Sequence, residues 1–419
     1  MPDYTIADYL IDRLAALGAA HLFQVPGNYT AQFLNRVQAS GKIRCVGTIN
    51  ELEAGYAADA YARLRPIGVA CVTYGVGSFS LYNAIAGAFV ERCPVVLING
   101  RASVSKAALL AEKGVLFAHA IDTIRTDQLI FAPITAASAV ITDPEDAPRQ
   151  IDRVLRACIT EKKPVYIEVP DGIWLEPCAR PTDDIPLAPE VEGAAEQTRA
   201  EAAARAAARR ALERIDDATH PVLWGGEELA RFGLADEFEA LVESSGLVYT
   251  TTLLGKSLVA ETATDDPTRR RPNFIGVYDS KFAPGDVKRV VENSDCIVAI
   301  GTILSDFYGD IVSASYDKMV LAAGGAVRVG QEIYPGVPLG PFIRHLLRLF
   351  QGGGGLDKTP PDGFAELGVG DRYALARLER TATARPSAEG AGMNWAAAFA
   401  AVNHSVEEST YVLVDTSLA

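Results

Sequence analysis

Short apolar runs alternate with segments whose apolar residues recur at helical spacing between Thr5 and Pro170. The apolar runs lack a helical period and cover residues 22–25, 43–49, 69–72, 94–98 and 164–170. Strands that are apolar throughout and alternate with helices are typical of a parallel sheet covered by helices on both faces. The pattern therefore predicts an α/β fold with a doubly wound parallel sheet.

A second alternation of the same kind follows a proline-rich, aperiodic stretch at 177–192. It begins with an Ala/Arg/Glu-rich helix at 196–215 and continues with strands at 221–224, 247–251, 296–300 and 319–321. Glycines at 352–355 indicate another connection. We therefore expect a first domain at 1–180, a linker at 181–195, a central α/β domain at 196–351, a linker at 352–390 and the start of an incomplete domain at 391–419.

Composition limits the kinds of binding partner and the cellular location that we expect. Of the 419 residues, 49% are hydrophobic and 22% are charged, as in ordinary globular proteins. The net charge of −14 argues against a nucleic-acid partner. Six scattered cysteines without a CxxC motif favour buried free thiols in a reducing compartment over disulfides or a zinc site. With no secretory signal and no run of membrane-spanning length, we expect a cytoplasmic protein with no membrane partner.

The stretch from Thr48 to Arg63 holds the first candidate for chemistry. Asn50 is a plausible N-cap, with Glu53 as the return arm of a capping box. Glu51 then lies where a strand passes into a helix, the kind of place where α/β proteins bind ligands. The residues of this helix are small, so we expect another helix to approach its backbone closely. Two interpretations stay open: an acid that complements the helix dipole, or a buried carboxyl with a raised pKa and a proton-transfer role.

Glycines and histidines add weaker candidates. The TYGVGS stretch at 73–78 places glycines between a strand and a helix expected at about 79–91, where a backbone can approach a ligand closely. A nicotinamide dehydrogenase is poorly supported, because the second half lacks a GxGxxG with a downstream acid, and there is no Walker A motif. Among the five histidines, His119 is the candidate for function because it lies in a loop-rich region.

Several long motifs resemble the thiamine-diphosphate-dependent 2-oxo acid decarboxylases, in particular their pyruvate and indolepyruvate decarboxylase branch. The resemblance covers nearly the whole chain. Its motifs are VPGNY at 25–29, NELEAGYAADAYAR at 50–63, TYGVGSFSLYNAIAGAFVERCPVVLINGRAS at 73–103, DPEDAPRQID at 143–152, EKKPVYIEVP at 161–170, TTLLGKSL at 251–258 and PNFIGVYDS at 272–280.

The resemblance implies successive α/β domains of the thiamine-diphosphate-binding superfamily: a pyrimidine-binding, a central and a diphosphate-binding domain. Glu51 matches the glutamate that hydrogen-bonds N1′ of the aminopyrimidine and promotes loss of the proton from thiazolium C2. Pro26, Thr73 and Asn83 match positions near the aminopyrimidine or its supporting turn. The small-residue helix at 54–62 matches an element of a subunit interface, so an oligomer is expected.

The chain departs from the family pattern in three places. Asn28 stands where the decarboxylases have an aspartate, and Phe117-Ala118-His119 stands where they have two adjacent histidines. An Asn side chain does not act as an acid–base group, so transfer to an acceptor carbonyl competes with protonation to an aldehyde. The Gly-Asp-Gly…Asn segment that holds Mg²⁺ and the diphosphate is absent from the sequence, so no metal ligand is assigned.

That last departure has two explanations: a truncated sequence, or a split enzyme in which a separate chain supplies the diphosphate-binding domain. We expect an enzyme, or a subunit of one, that uses thiamine diphosphate and Mg²⁺ to decarboxylate a 2-oxo acid. The alternative is a non-catalytic regulatory or scaffolding paralogue. Retention of Glu51 argues against the alternative, because a buried acid without a cofactor partner is a cost without benefit.

Overall fold

The computed structural model describes residues 4–115, 119, 125–185, 192–256, 258–259 and 273–353. These residues belong to two compact units, 1–197 and 198–419. The division falls inside a helix, and the domain limits expected from the sequence stay predictions. The incomplete third domain expected at 391–419 and nearly all of the 352–390 linker lie outside the described residues.

The first unit alternates strands and helices, as the apolar runs predict. Its strands are β1 (His21–Gln24), β2 (Arg44–Gly47), β3 (Gly68–Thr73), β4 (Val95–Arg101), β5 (Ala137–Val140) and β6 (Val165–Pro170). Its helices are α1 (Ile6–Ala16), α2 (Ala31–Ser40), α3 (Glu51–Leu64), α4 (Val76–Ser80), α5 (Tyr82–Val90), α6 (Val104–Glu112), α7 (Thr126–Phe131) and α8 (Ala147–Glu161), with a 3-10 helix at Ala132–Ile134.

The strands of the first unit form a parallel sheet in the order β2-β1-β3-β4-β6-β5. Val69 and Cys71 of β3 face one apolar cluster with α1 and α8. Ala70 and Val72 face the other cluster, with α3 and α5. The strand order reverses between β1 and β3, and ligands bind outside the carboxyl ends of strands at such a point.

The second unit has the same architecture, with an antiparallel extension. Its strands are β7 (Pro221–Gly225), β8 (Val248–Thr251), β9 (Phe274–Val277), β10 (Cys296–Ile300), β11 (Met319–Ala323), β12 (Ala326–Val329) and β13 (Glu332–Pro335). Its helices are α9 (Glu192–Asp216), α10 (Glu227–Arg231), α11 (Ala235–Ser245), α12 (Gly285–Glu292), α13 (Gly309–Ser315) and α14 (Leu339–Gly353), with 3-10 helices at Ser280–Phe282, Asp306–Tyr308 and Tyr316–Lys318.

Its sheet has the order β13-β12-β11-β10-β7-β8-β9, in which β12 and β13 pair antiparallel and the other strands are parallel. Helices α9, α11 and α14 pack on one face, and α12 and α13 pack on the other. The predicted fold class, successive doubly wound parallel-sheet domains, is confirmed. In the described part of the chain, every helix is too short or too polar to cross a bilayer.

Two local expectations were wrong. Strand β2 ends at Gly47, so Ile49 is not a strand residue, and its side chain is 90% exposed. The single helix expected at 79–91 is two helices, because the turn at Leu81 separates α4 from α5. All six cysteines are free, as expected, and four of them are buried.

Candidate active site

Two loops meet where the strand order of the first sheet reverses. One follows β1 and contains Gly27, and the other follows β3, whose last residue is Thr73. A Cβ atom added to Gly27 would lie only 2.9 Å from Cβ of Thr73. No real Cβ tolerates that distance without a shift, so glycine allows the two loops to touch. The contact places Pro26 and Thr73 at the same edge of the sheet, and Pro26 is exposed there.

The third component of this edge is the start of α3. Oδ1 of Asn50 accepts a hydrogen bond from the Glu53 amide at 3.0 Å, so Asn50 is the N-cap. The expected return bond is displaced by one residue, because the Glu53 carboxylate accepts from the amide of Ile49 at 3.1 Å rather than from that of Asn50. Glu51 is therefore fixed as the first residue of the helix.

The carboxylate of Glu51 lies against the glycine turn. A Cβ atom on Gly77 would lie 3.3 Å from Oε1 of Glu51 and 2.9 Å from Cγ2 of Thr73. Glu51, Thr73, Gly77 and Gly27 thus form one group of neighbours, which we call the Glu51 cluster. The expectation of a deeply buried Glu51 is not met within this chain, because the side chain is partly exposed and Ile49 beside it faces solvent.

Helix α3 is held in place by close backbone packing. A Cβ atom on Gly55 would lie 2.7 Å from Cβ of Ala84 on α5. A Cβ atom on Gly68 of β3 would lie 2.0 Å from the carbonyl oxygen of Ala58. The expectation that the small-residue helix allows a close approach of another helix is therefore confirmed, and the neighbour is α5.

His119 lies beside the glycine turn. A Cβ atom on Gly75 would lie 2.0 Å from the carbonyl oxygen of His119, and Gly75 has a φ of 72°. Both observations require glycine at this position. The ring of Tyr74 contacts the His119 ring edge-on at 6.0 Å between centroids, and Tyr29 contacts Tyr74 in the same way at 5.4 Å.

Asp127 is a residue of this site that sequence reasoning missed. It is 5% exposed, and its Oδ2 accepts three hydrogen bonds. The donors are the amide of Gly75 at 2.7 Å, the hydroxyl of Ser78 at 2.5 Å and the side-chain amide of Asn99 at 3.0 Å. The available signal was Asn99, a polar residue that directly follows the apolar run 94–98 and belongs to β4.

The hydrogen bonds continue from Asn99 into the core of the sheet. Nδ2 of Asn99 donates to the hydroxyl of Tyr166 at 2.8 Å, and that hydroxyl donates to the carboxylate of Glu168. Glu168 forms an ion pair with Arg101 at 2.9 Å. Burial raises the pKa of Glu168 to about 7, although the guanidinium of Arg101 opposes this shift. Burial and the Glu168 carboxylate both raise the pKa of Tyr166.

Asn83 and Asn28 lie apart from these contacts. Asn83 is exposed on α5, and Asn28 is exposed in the loop after β1. Neither residue is placed against the Glu51 carboxylate by a contact among the described residues, so the assignment of Asn83 to the aminopyrimidine stays a prediction. No group of three or more acidic, His or Cys side chains suited to a metal occurs among the described residues.

The second unit has a comparable reversal of strand order between β7 and β10, but protein groups fill it. A Cβ atom on Gly226 would lie 2.3 Å from the carbonyl oxygen of Gly301. The carboxylate of Glu227 accepts from the amide of Ile303 at 3.0 Å, and that of Glu228 accepts from the amide of Gly324 at 3.1 Å. Buried carboxylates thus occupy amides that an anionic ligand would need.

The geometry of the first unit agrees with comparisons of sequence. Residues 4–127, which contain the Glu51 cluster, match the model described as the thiamine pyrophosphate enzyme N-terminal TPP binding domain. Residues 208–343 match the thiamine pyrophosphate enzyme central domain. The two units therefore represent the cofactor-binding and central domains of one class of enzyme.

Curated proteins with similar sequences carry related names. Indole-3-pyruvate decarboxylase of Azospirillum brasilense is 32% identical over 345 residues, covering 82% of this chain and 59% of the relative. Pyruvate decarboxylase of Aspergillus parasiticus is 33% identical over 346 residues, covering 81% and 56%. Alpha-keto-acid decarboxylase of Mycobacterium avium is 31% identical over 347 residues, covering 82% and 58%.

The chain belongs to the family of thiamine-diphosphate-dependent 2-oxo acid decarboxylases, as the motifs of the sequence predict. It spans less than three fifths of the length of these curated relatives, with 59% as the largest of the three shares. The family and its cofactor class are thereby established.

Proposed function

We propose that this chain provides the aminopyrimidine-binding half of an active site that decarboxylates a 2-oxo acid with thiamine diphosphate and Mg²⁺. The observation that carries the proposal is the position of the Glu51 carboxylate. It lies against Gly77 and Thr73, at the reversal of strand order, in the domain that matches the cofactor-binding domain of the family. A ring bound at this edge would meet the partly exposed carboxyl group of Glu51.

The residues present fit this cofactor. A carboxyl group that exchanges a proton with a ring nitrogen must be reachable, and Glu51 is partly exposed. The missing side chains of Gly27 and Gly77 let Thr73 and the Glu51 carboxylate pack directly on the backbone, which holds both groups at this edge. When bound, thiamine diphosphate supplies the carbon nucleophile and the electron sink for loss of CO₂. Glu51 is proposed to hold the proton at N1′, and Pro26, Thr73 and Asn83 to support the ring.

The fate of the reacting carbon depends on proton donors near the site. Asn28 has no acidic proton to give, and it is exposed. His119 lies next to Gly75, where its backbone packs on the turn. We propose His119 as the proton donor of this chain. Release of an aldehyde and transfer to an acceptor carbonyl both remain within the proposed function.

We also propose that a second polypeptide segment completes the site with the diphosphate and Mg²⁺ ligands, within a homo- or hetero-oligomer. Exposed apolar side chains near the Glu51 cluster support this arrangement. Ile49 is 90% exposed, Val76 60% and Tyr56 49%. Removal of such side chains from water favours association with a partner. Six free cysteines support a reducing, cytoplasmic location.

The test compares two carboxylates of the same helical turn in the enzyme completed with a diphosphate-binding domain. Glu51→Gln removes the proton-exchanging carboxyl and keeps its shape, so decarboxylation of 2-oxo acids should fall by about 100-fold or more. Glu53→Gln is the matched control, because an amide oxygen still accepts the bond from Ile49. The rate of CO₂ release at saturating cofactor measures the activity of both variants.

Unfolding midpoints of both variants should stay close to that of the wild-type protein, since Glu51 is partly exposed. A Glu51→Gln enzyme with wild-type turnover would exclude the catalytic role. Absence of 2-oxo acid turnover in the completed wild-type assembly would favour the alternative, a non-catalytic regulatory or scaffolding paralogue.

A further inference from the structure

A buried carboxylate that the proposed chemistry does not use is bonded to the glycine turn of the site. Asp127 is the second residue of α7 and lies 52 residues from Gly75 in sequence. Its Oδ2 accepts from the Gly75 amide and from the Ser78 hydroxyl, so one oxygen bonds to both ends of the segment Gly75–Ser78. This segment contains Gly77, the residue against which the Glu51 carboxylate lies.

The turn needs this acceptor. Gly75 is the N-cap of α4, its φ is 72°, and its amide is buried. A buried amide without an acceptor is destabilising, because it has lost its hydrogen bonds to water. The carbonyl oxygen of Gly75 in turn accepts from the Phe79 amide at 3.0 Å and begins the helix. Asp127 therefore stabilises the unusual conformation from which the position of Gly77 follows.

The carboxylate of Asp127 is itself held in place by a side-chain hydrogen bond from Asn99. Nδ2 of Asn99 has two protons, of which one goes to Asp127 and the other to the hydroxyl of Tyr166. Tyr166 then donates to Glu168, whose charge is paired with Arg101. The donor and the acceptor of each hydrogen bond in this network are therefore defined, and the network ends at the buried ion pair of Glu168 and Arg101. Strands β4 and β6 thereby determine where the Asp127 oxygen lies.

We propose that Asp127 is a positioning residue for the cofactor-binding turn, and that the chain Asn99–Tyr166–Glu168–Arg101 holds its carboxylate in place. The inference rests on the proposed function only in naming thiamine diphosphate as the ligand of the turn. Asp127 acts through Gly75 and Gly77 and does not touch the reacting atoms. An oxygen at the Oδ2 position is the required feature, because all three donors converge on it.

The first test measures amide hydrogen exchange in the 419-residue chain without any cofactor. In Asp127→Ala, exchange in peptides that cover 73–80 should become about tenfold faster, because the Gly75 amide loses its acceptor. In Asp127→Asn, an amide oxygen replaces Oδ2, and most of the protection should return. Ser78→Ala removes one donor and should give a smaller increase in the same peptides.

The matched control is Asp152→Ala. Asp152 also accepts several side-chain hydrogen bonds, from Tyr9 and Arg13 on α1, but it does not contact the turn. It should lower stability without selective exchange at 73–80. Unchanged exchange at the turn in Asp127→Ala, an increase spread evenly over the first unit, or an Asp127→Asn variant as defective as Asp127→Ala would each overturn the proposal.

The second test uses the enzyme completed with a diphosphate-binding domain. Asp127→Ala should raise the concentration of thiamine diphosphate for half-maximal activity by about tenfold, and Asp127→Asn should restore it. The kcat at saturating cofactor should stay within about threefold, since the carboxyl of Glu51 is intact. An unchanged half-saturation value contradicts the positioning role. Loss of kcat in Glu51→Gln tests the proposed function separately, so the two failures are distinguishable.

Discussion

At the scale of single residues, the site depends on side chains that are absent as much as on those that are present. Gly77 leaves the space that the Glu51 carboxylate and Thr73 occupy, and Gly27 leaves the space where the loop after β1 meets Thr73. Any larger residue at these positions would push the carboxylate or the loop away. The strand-to-helix position made Glu51 a candidate, and the resemblance to the family implied its role, whereas its contact with Gly77 required the folded chain.

The pKa of Glu168 gives a prediction at the same scale. Burial raises this pKa from 4.5 to about 7. The folded protein therefore keeps the proton to higher pH than the unfolded chain does. The stability that this group contributes is complete below pH 4.5 and is lost as the pH rises through 7, with a maximum loss of about 3 kcal/mol.

The glutamine in Glu168→Gln does not titrate. The difference in unfolding free energy between the wild-type protein and this variant therefore reports the titration of Glu168 alone. The free energy of unfolding of the wild-type protein minus that of Glu168→Gln should fall between pH 5 and pH 8, whatever the constant cost of an unpaired Arg101. Urea denaturation at four pH values measures the difference. A difference that is flat, or that rises with pH, would show that burial does not raise the pKa of Glu168.

At the scale of secondary structure, the small-residue helix α3 connects the site to the sheet. Its backbone approaches α5 at Gly55 and β3 at Gly68, so Glu51 is presented from a helix with little freedom to shift. A helix with larger residues on this face would stand further from α5. Its first turn, with Glu51, would then move relative to Gly77.

Gly55→Ala tests this packing. Alanine has the higher helix propensity by about 1 kcal/mol, but its Cβ would lie 2.7 Å from Cβ of Ala84. The overlap should therefore destabilise the protein by about 1–3 kcal/mol. In the double variant Gly55→Ala/Ala84→Gly, the loss of the Ala84 Cβ makes room for the new Cβ at position 55. The double variant should therefore be more stable than the sum of the single changes predicts. Urea denaturation of the four proteins gives the coupling energy, and additive changes would contradict close packing.

Elements buried on both sides were the ones that sequence predicted well. Strand β10 has the bounds expected from its apolar run, because a central strand has no polar face to interrupt it. Strand β5, at the sheet edge with only one of four residues buried, left no such run. Asp127 was missed for another reason: its role depends on α7 lying against a turn 52 residues away, and no local pattern encodes that contact.

At the scale of the whole molecule, two α/β units are joined in one chain, and only the first carries the Glu51 cluster. The exposed apolar residues near that cluster lie on α3, α4 and the loop before α3. We expect them to contact a second polypeptide, since isolated monomers rarely expose neighbouring apolar side chains around a site.

Tyr56→Lys tests this surface by placing a charge on α3. Tyr56 is 49% exposed, so the monomer should tolerate the change, whereas self-association should weaken by about tenfold or more. Leu129→Lys is the matched control, because Leu129 is 60% exposed on α7 and its substitution adds the same charge. Sedimentation velocity measures the oligomeric state. Equal association of both variants and the wild-type protein would contradict an interface at α3.

We propose that the Glu51 carboxyl activates bound thiamine diphosphate. This role is measured by exchange of the thiazolium C2 proton for deuterium in the completed enzyme without substrate. Glu51→Gln should slow this exchange by about 100-fold or more, and Glu53→Gln should leave it within about twofold of the wild-type rate. Equal exchange rates in Glu51→Gln and the wild-type enzyme, with the cofactor bound in both, would exclude this role of Glu51.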